Sequence, residues 1–307
     1  MSSTSEKWIF ILNPVAGGGL AKKYQDIIIN KIKTQQLSGE IVLTEYKGHA
    51  TKIAADFANK GYNHIIAVGG DGTLNEIVHG MIDLDEITLG IIPAGTGNDF
   101  IQILGFDGEF NENDWETFFK KNTKKIDVGK CNENYFLNGM GLGFDAQVAA
   151  ENYNEAGEVK EGSSSKYLWH ILKTLLFFKE LDMTTINNDQ KQKSKCFINT
   201  IANGRRFAGQ YFLTPRAIAN DGLLDVCMVK ELSLLQRIGI FQKVPKGEHL
   251  ENPNVNYYQT DKLSLEFDKD VPHHLDGELF FASKFEVSIL PEKLKFIYNT
   301  DGNHFFK

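Results

Sequence analysis

Gly69-Gly70-Asp71-Gly72-Thr73 sets three glycines around a single carboxylate within five consecutive residues. Glycine lets a backbone take positive φ and lets a ligand approach closely. The apolar run His64–Val68 before the turn reads as a buried strand. Leu74, Ile77, Val78 and Met81 after it have the spacing of an amphipathic helix. The turn therefore opens onto a helix N-terminus, whose unpaired N–H groups and partial positive charge suit a phosphate. Asp71 should repel a phosphate unless a cation lies between them, so the pattern implies a metal–nucleotide complex. The plain alternative is a tight turn with Asp71 as a helix cap, since Asp and Gly both favour such turns.

Two further stretches repeat the arrangement. Thr88–Pro93 reads as a buried strand, and Ala94-Gly95-Thr96-Gly97-Asn98-Asp99-Phe100 follows it as the opening of another helix. Trp8–Leu12 is a candidate first strand, followed by Asn13-Pro14-Val15-Ala16-Gly17-Gly18-Gly19 and then by helical spacing at Leu20, Tyr24, Ile27, Ile28 and Ile32. Glu40–Thr44 reads as one more strand, and Ala50, Ile53, Ala54 and Phe57 as one more helix ending at Gly61. Strands alternating with helices call for a doubly wound parallel sheet, with the glycine turns gathered at its carboxyl edge.

From about residue 125 the pattern changes. Lys125–Cys131, Tyr135–Gly143, Cys196–Ala202, Leu223–Val229, Lys262–Phe267 and Phe285–Leu290 read as strands, and helical spacing becomes rare. The fold class expected is α/β plus β: a nucleotide-binding α/β domain over 1–124, then a β-sandwich domain over 125–292. The segment from about Lys293 to Lys307 is a candidate to pack back on the first domain. Asn187–Lys193 reads as a hairpin turn. Lys166–Leu181 is a helix with a wide apolar arc, including Leu168, Ile171, Leu172, Leu175, Leu176 and Phe178. It reads either as a cover for a sheet face or as a surface that meets a lipid chain or bilayer.

The chain carries 42% hydrophobic and 24% charged residues and a net charge of −7, which is a globular composition without a broad nucleic-acid-binding surface. Three scattered cysteines with no CxxC suggest a reducing compartment and no structural zinc. No run reaches the roughly 18 apolar residues of a spanning helix, so a cytoplasmic location is expected. There is no GxxxxGK[ST], HExxH or GxSxG, and Gly139-x-Gly141-x-Gly143 lies in a β region, which disfavours a dehydrogenase. His273 and His274 are adjacent, so in a strand they point to opposite faces. Arg205-Arg206 reads as a solvated pair or a phosphate clamp. Asp221-Gly222-Leu223-Leu224-Asp225 opens an apolar strand, and Leu275-Asp276-Gly277-Glu278-Leu279 reads as a hairpin turn whose two carboxylates would suit a metal or a proton.

Taken in order, Asn13-Pro14 with its glycine tail, Gly69–Thr73, Pro93–Asp99, Asp221–Asp225 and Asp276-Gly277-Glu278 resemble the diacylglycerol kinase catalytic-domain family, in its soluble bacterial lipid-kinase branch, with sphingosine and ceramide kinases as relatives. The resemblance runs along nearly the whole chain. It implies an active site in a cleft between the two domains and ATP-dependent phosphorylation of a lipid hydroxyl with Mg²⁺. Nucleotide contacts are implied at Asn13, Pro14, Val15, Ala16, Gly17, Thr44, Gly69, Gly70, Asp71, Gly72, Thr73, Leu74, Asn75 and Thr96. The implied catalytic set is Asp71, Asp276 and Glu278, with Glu278 as proton acceptor. A structural magnesium is implied at the Asp221 side chain, with backbone carbonyls near Ile218 and Leu223. The implied partners are a lipid substrate and a transiently contacted membrane surface at the inner face, with no nucleic acid; homodimerisation stays open. One departure is Ala208-Gly209-Gln210, where many relatives have a glycine triplet. A kinase of a soluble acceptor, as in NAD kinases with their similar glycine turn, and a non-catalytic nucleotide-binding regulator are the alternatives.

Overall fold

Apolar runs with no polar alternation need cover on both faces, and the first half of the chain supplies it. In this computed structural model, which describes residues 6–84, 86–152, 173–187 and 190–307, β1 (Lys7–Leu12), β2 (Ser38–Leu43), β3 (His64–Gly69) and β4 (Thr88–Pro93) lie parallel in the order β2-β1-β3-β4. Trp8–Leu12 and Ile65–Val68 are wholly buried. The connections are α1 (Leu20–Thr34), α2 (His49–Asn59) and α3 (Asp71–Met81). Each turns its small or branched residues inward: Ala21 and Ile28, Ala50 and Ala54, Ile77 and Val78. α4 (Glu112–Phe119) adds Trp115 and Phe118, and its first turn is closed by a capping box between Asn111 and Asp114. Lys295 and Phe296 pair in parallel with Thr88 and Leu89.

The chain divides into two units. The first holds Met1–Val128, Ala219–Asp221 and Pro291–Lys307. The sequence reading set the boundary at 124 and the return at 293; by contact the divisions fall at 128/129 and 290/291, and the short segment 219–221 goes with the first unit. Phe305 shows why the tail belongs there. It is buried, its N–H donates to the Ile103 carbonyl, and its own carbonyl accepts from the Ala219 N–H.

The second unit, Gly129–Ile218 and Gly222–Leu290, is a β-sandwich built by long strands shared between layers. After β5 (Thr123–Cys131) come β6 (Asn134–Phe136), β7 (Gly139–Gly143), β8 (Leu181–Asn187), β9 (Gln190–Ala202), β10 (Leu224–Lys230), β11 (Val255–Thr260), β12 (Lys262–Leu275) and β13 (Glu278–Ile297). β9 pairs with β8 along its first half and with β7 and β10 along its second. β12 does the same with β8 and then β7, and its register against β13 shifts between Glu266 and Val271. Such a shift bends a strand from one layer into the next. Between the layers lie Met140, Leu142, Ile201, Val226, Met228, Leu265, Leu275, Phe285 and Val287.

Helices are more frequent here than the sequence pattern suggested. α5 (Phe144–Asn152) and α6 (Leu234–Lys243) both occur in the β region. Of the expected helix Lys166–Leu181, residues 166–172 lie outside the described residues, 173–177 are helical, and Leu181 already begins β8. Asn187 pairs with Gln190, as a hairpin requires. All three cysteines are free and buried. Desolvation pushes the Cys131 and Cys227 thiols up to about 12, so these are packing residues rather than nucleophiles. Among the described residues no helix is long and apolar enough to cross a membrane.

Two buried histidines give the fold an acid limit. His64 stacks on Trp8 with ring centroids 4.2 Å apart, and His273 lies against Phe280 and Phe285 at 5.7 and 4.8 Å. Burial lowers each pKa from 6.5 to about 4. The unfolded chain therefore takes the proton first: stability from each neutral ring is complete above about pH 6.5 and is lost as pH falls towards 4, by up to about 3 kcal/mol per ring. His273→Phe keeps the aromatic packing and removes one of these protons. Urea unfolding from pH 7 to 4.5 should show a shallower acid loss in His273→Phe than in the parent; equal slopes would remove His273 as a cause.

Candidate functional site

The sheet order β2-β1-β3-β4 reverses direction between β1 and β3, and loops at the carboxyl ends of such a switch point form the binding crevice of open α/β sheets. The three glycine-rich turns stand there. Asn13 follows β1, and its N–H donates to the Val68 carbonyl. Gly70 follows β3, and Ala94 follows β4 with its N–H on the Gly69 carbonyl. Thr44 follows β2, its N–H on the Leu12 carbonyl.

Backbone packs against backbone between these turns. A Cβ on Gly95 would lie 2.5 Å from the Gly70 Cα, and one on Gly17 would lie 2.3 Å from the Ala94 carbonyl oxygen, with Gly17 already at φ +57°. Any side chain at either position would push the turns apart. Polar ties complete the join. Asn13 Nδ2 donates to Thr73 Oγ1 at 3.1 Å. Asn98 closes its own turn, accepting from the Gly95 N–H and donating to the Gly95 carbonyl, both at 2.9 Å.

Asp71 opens α3, yet its side chain serves the neighbouring turn. Oδ2 accepts from the Asp99 N–H at 2.9 Å and Oδ1 from the Phe100 N–H at 3.1 Å. These are orphan donors at the start of the 3₁₀ helix Phe100–Leu104, the helix that this turn opens. Burial raises the Asp71 pKa, and the donated N–H bonds act against that rise. The N–H groups of Asn98 and of Asp71 itself also favour the charged form, so the carboxylate serves first as a cap for backbone donors. A Cβ at Gly97 would lie 3.7 Å from Asp71 Oδ2 and 3.9 Å from Asp99 Oδ2, so two carboxylates border one exposed glycine. No cluster of three or more acidic, His or Cys side chains exists among the described residues. One or two carboxylates with the remaining ligands supplied by phosphates and water is how Mg²⁺ is ordinarily held beside a nucleotide, and this pair fits that role.

The same logic recurs in the second unit. Leu275 pairs with Glu278, and Asp276 and Gly277 take φ of +47° and +89°, the two-residue turn that hairpins favour. Asp276 is an anchor: its carboxylate accepts from the N–H groups of Leu137, Asn138 and Gly139 at 2.7, 2.9 and 2.9 Å. Glu278, one residue past the turn, is half-buried. His273 and His274 face opposite ways, His273 into the aromatic core and His274 Nε2 to Asp145 Oδ2 at 3.1 Å. Arg205 Nε donates to the Ala217 carbonyl at 2.7 Å, and the Arg206 guanidinium covers the Phe212 ring at 4.5 Å. Both are packed rather than solvated. Ala208 stands at φ +49°, a left-handed backbone that glycine adopts without strain.

Asp221 belongs to the first unit, whereas Ile218 and Leu223 belong to the second. The Asp221 side chain is almost fully buried, with Lys307 Nζ 3.9 Å away. The sequence reading passed over Asp127 and Glu76. Asp127 is fully buried, accepting from the Glu292 N–H at 2.7 Å. Glu76 accepts from the N–H groups of Gly48 and Ala50 and so caps α2. A lone acid inside the β-pattern Lys125–Cys131 was the available signal for Asp127; nothing local identifies a cap supplied by a different helix.

Asp71→Ala would leave the Asp99 and Phe100 N–H groups without their acceptor, at a cost of about 1–3 kcal/mol. The expected outcome is a folded protein with a lower urea midpoint, and a smaller loss in Asp71→Asn, which keeps one acceptor. An unchanged midpoint in Asp71→Ala would mean these bonds hold nothing.

With this geometry in place, comparison with known proteins is informative. The diacylglycerol kinase catalytic domain matches residues 7–131, and the YegS C-terminal NAD kinase beta sandwich-like domain matches residues 138–298. A diacylglycerol kinase of Bacillus subtilis is 29% identical over 274 residues, covering 87% of this chain and 88% of its own. A diacylglycerol kinase of Staphylococcus saprophyticus is 28% identical over 271 residues, covering 87% of each chain. The crystal structure of a diacylglycerol kinase from Bacillus anthracis superposes with a TM-score of 0.72 at 24% identity over 97% of this chain and 99% of that one, which speaks for the fold. Glycine turns at the switch point of the first unit, a β-sandwich in the second and both domain matches in order make this chain a member of the diacylglycerol kinase catalytic-domain family of lipid kinases.

Proposed function

We propose that the chain transfers the γ-phosphoryl group of ATP to a lipid hydroxyl, with diacylglycerol or a related lipid as acceptor. The observation that carries this reading is the junction of the three glycine turns, where bare backbone and an α3 N-terminus meet a pair of carboxylates. Diacylglycerol comes from the names of the relatives.

In this reading the backbone from Asn13 to Gly17 and from Gly69 to Asn75, with Thr44 and Thr96, receives the nucleotide. Asp71 and Asp99 would hold Mg²⁺, which when bound neutralises charge on the phosphate oxygens. The lipid oxygen forms a bond to the γ-phosphorus as the bond to the bridging oxygen breaks and ADP departs. The hydroxyl proton passes to Glu278. Asp276 orients the turn through its three N–H bonds and does not itself exchange the proton. Positioning and charge neutralisation supply most of the acceleration in such a transfer. Asp221, with carbonyls near Ile218 and Leu223, is retained as a structural cation site. The location proposed is cytoplasmic, with transient contact at the inner membrane face.

The test is transfer of labelled γ-phosphate to a panel of lipids in mixed micelles, with NAD as the soluble acceptor. Label in diacylglycerol or a related lipid is expected; label in NAD alone would reverse the reading. Glu278→Gln should cut turnover by about 10²–10⁴-fold with ATP binding nearly unchanged. Near-parental turnover in that variant would remove Glu278 as the base. For Asp221, the parent should lose melting temperature on chelation and Asp221→Ala should not; equal chelator sensitivity leaves a plain turn there.

A further inference from the structure

The 3₁₀ helix Phe100–Leu104 is too short to hold itself. Its five residues close about two internal hydrogen bonds, and so short a helix persists only where its ends are satisfied from outside. At one end, Asp71 accepts from the Asp99 and Phe100 N–H groups. At the other, the last carbonyls lie past the last helical donor. The Leu104 carbonyl accepts from the Asn299 N–H at 2.8 Å, and the Ile103 carbonyl accepts from the Phe305 N–H at 3.1 Å. The helix is therefore strung between the turn at residues 96–99 and residues 299–305, all within the first unit.

Residues 299–305 are themselves well tied. The Asn299 carbonyl accepts from the Gly302 N–H at 3.3 Å, Asn299 Oδ1 accepts from the Asp301 N–H at 3.0 Å, and the His304 N–H returns to the Gly302 carbonyl at 2.9 Å. The Phe305 carbonyl accepts from the Ala219 N–H at 2.8 Å, and the Ala219 carbonyl accepts from the Asp127 N–H of β5 at 2.9 Å. Phe305 is buried, and Phe296, on β13 just before the segment, packs its ring on Phe100 with centroids 4.9 Å apart. Backbone meets backbone here as it does between the glycine turns. A Cβ on Gly302 would lie 1.9 Å from the Gly105 carbonyl oxygen, directly after the helix. Packing this close does not yield to a methyl group, so the segment and the helix end move together or part.

We propose that residues 299–305 are a positioning element for the nucleotide turn. By holding the helix at its far end they keep the Asp99 and Phe100 N–H groups on Asp71 and the Asp99 carboxylate beside Gly97. Asn299, Gly302 and Phe305 act through the helix and touch no reacting atom. The purpose of this element rests on the nucleotide reading of the turn. Linkage makes the coupling reciprocal: the factor by which the ordered segment tightens nucleotide binding is the factor by which nucleotide tightens the segment.

The test compares the parent with Gly302→Ala, Phe305→Leu and Trp115→Phe. Gly302→Ala lifts the segment off Gly105. Phe305→Leu is milder, keeping an apolar anchor and both backbone bonds, and it carries the comparison if Gly302→Ala does not fold. Trp115→Phe is the control: it weakens the same unit from α4, where Trp115 packs on Tyr24 and Phe110. Amide hydrogen exchange would be read at Asp99 and Phe100 against the buried strand β3, and binding of the imido analogue of ATP with Mg²⁺ would be titrated by calorimetry. Gly302→Ala should speed exchange at Asp99 and Phe100 on the order of tenfold while β3 keeps its rate, and should weaken the analogue by a similar factor. Phe305→Leu should do the same to a smaller extent, and Trp115→Phe should do neither. In the parent, the analogue should slow exchange at the Asn299 and Phe305 amides. Parental exchange at Asp99 and Phe100 in folded Gly302→Ala overturns the proposal, as do equal effects in Trp115→Phe. So does protection by the analogue that stops short of Asn299 and Phe305. A parent that binds no nucleotide counts against the kinase reading, and exchange at Asp99 and Phe100 in Gly302→Ala then decides the positioning claim by itself.

Discussion

Asp71 reaches across from the start of α3 to accept the N–H groups of Asp99 and Phe100, and the join between the glycine turns of the first unit rests on it. That pair of bonds adds to the Ala94 N–H on the Gly69 carbonyl in holding the turn after β4 against the turn after β3. With it, Gly70 and Gly95 come so close that neither tolerates a Cβ. The strand ends are set by the parallel sheet, but a sheet alone leaves its loops free to diverge. A carboxylate between two turns converts them into one surface of fixed backbone, which is what recognition of a phosphate chain through N–H groups requires.

Carboxylates holding foreign N–H groups recur through the chain. Glu76 caps α2 from α3, Asp276 holds three consecutive donors at Leu137–Gly139, and Asp127 holds Glu292. Bonds from backbone N–H to an ionised acceptor are among the stronger neutral-to-charged contacts available to a protein. In the hairpin Asp276 is committed to the backbone of Leu137–Gly139.

The second unit shows how one sheet can serve two environments. Alternate residues of β7, β9 and β10 send Met140, Leu142, Ile201 and Val226 into the sandwich, while Thr200, Cys227 and His274 occupy the opposite face. That second face is covered by α5, α6 and the segment before β8, whose inward residues form a separate aromatic cluster around Phe144 and Phe197. Arg237 lies at the edge of this cluster. Its burial puts one charge of α6 inside beside Ile240, while Leu234, Leu235 and Ile238 stay outside with Gln236, Gln242 and Lys243.

What the sequence determined by itself was periodic or local. Parallel strands were legible because runs such as Trp8–Leu12 and His64–Val68 are apolar at every position, and only a doubly covered sheet buries them. The glycine turns and the Asp276-Gly277 hairpin were legible because positive φ selects few residue types. The order of these motifs was enough to indicate the family. Other features lay beyond reach because they depend on residues distant in the chain. Asp71 as the cap of a turn 28 residues later, Glu76 as the cap of the preceding helix, and Asp276 as an anchor for Leu137–Gly139 leave no mark on local spacing. α6 escaped notice, and the tertiary fold alone decided that Arg237 would be buried against the carbonyls of Leu175 and Phe178, and that Leu234, Leu235 and Ile238 would be left outside. A side chain's hydrophobicity states a preference, but its environment is set by which partner can satisfy the strongest demand, and a guanidinium with four acceptors within reach outcompetes a leucine for the inward position.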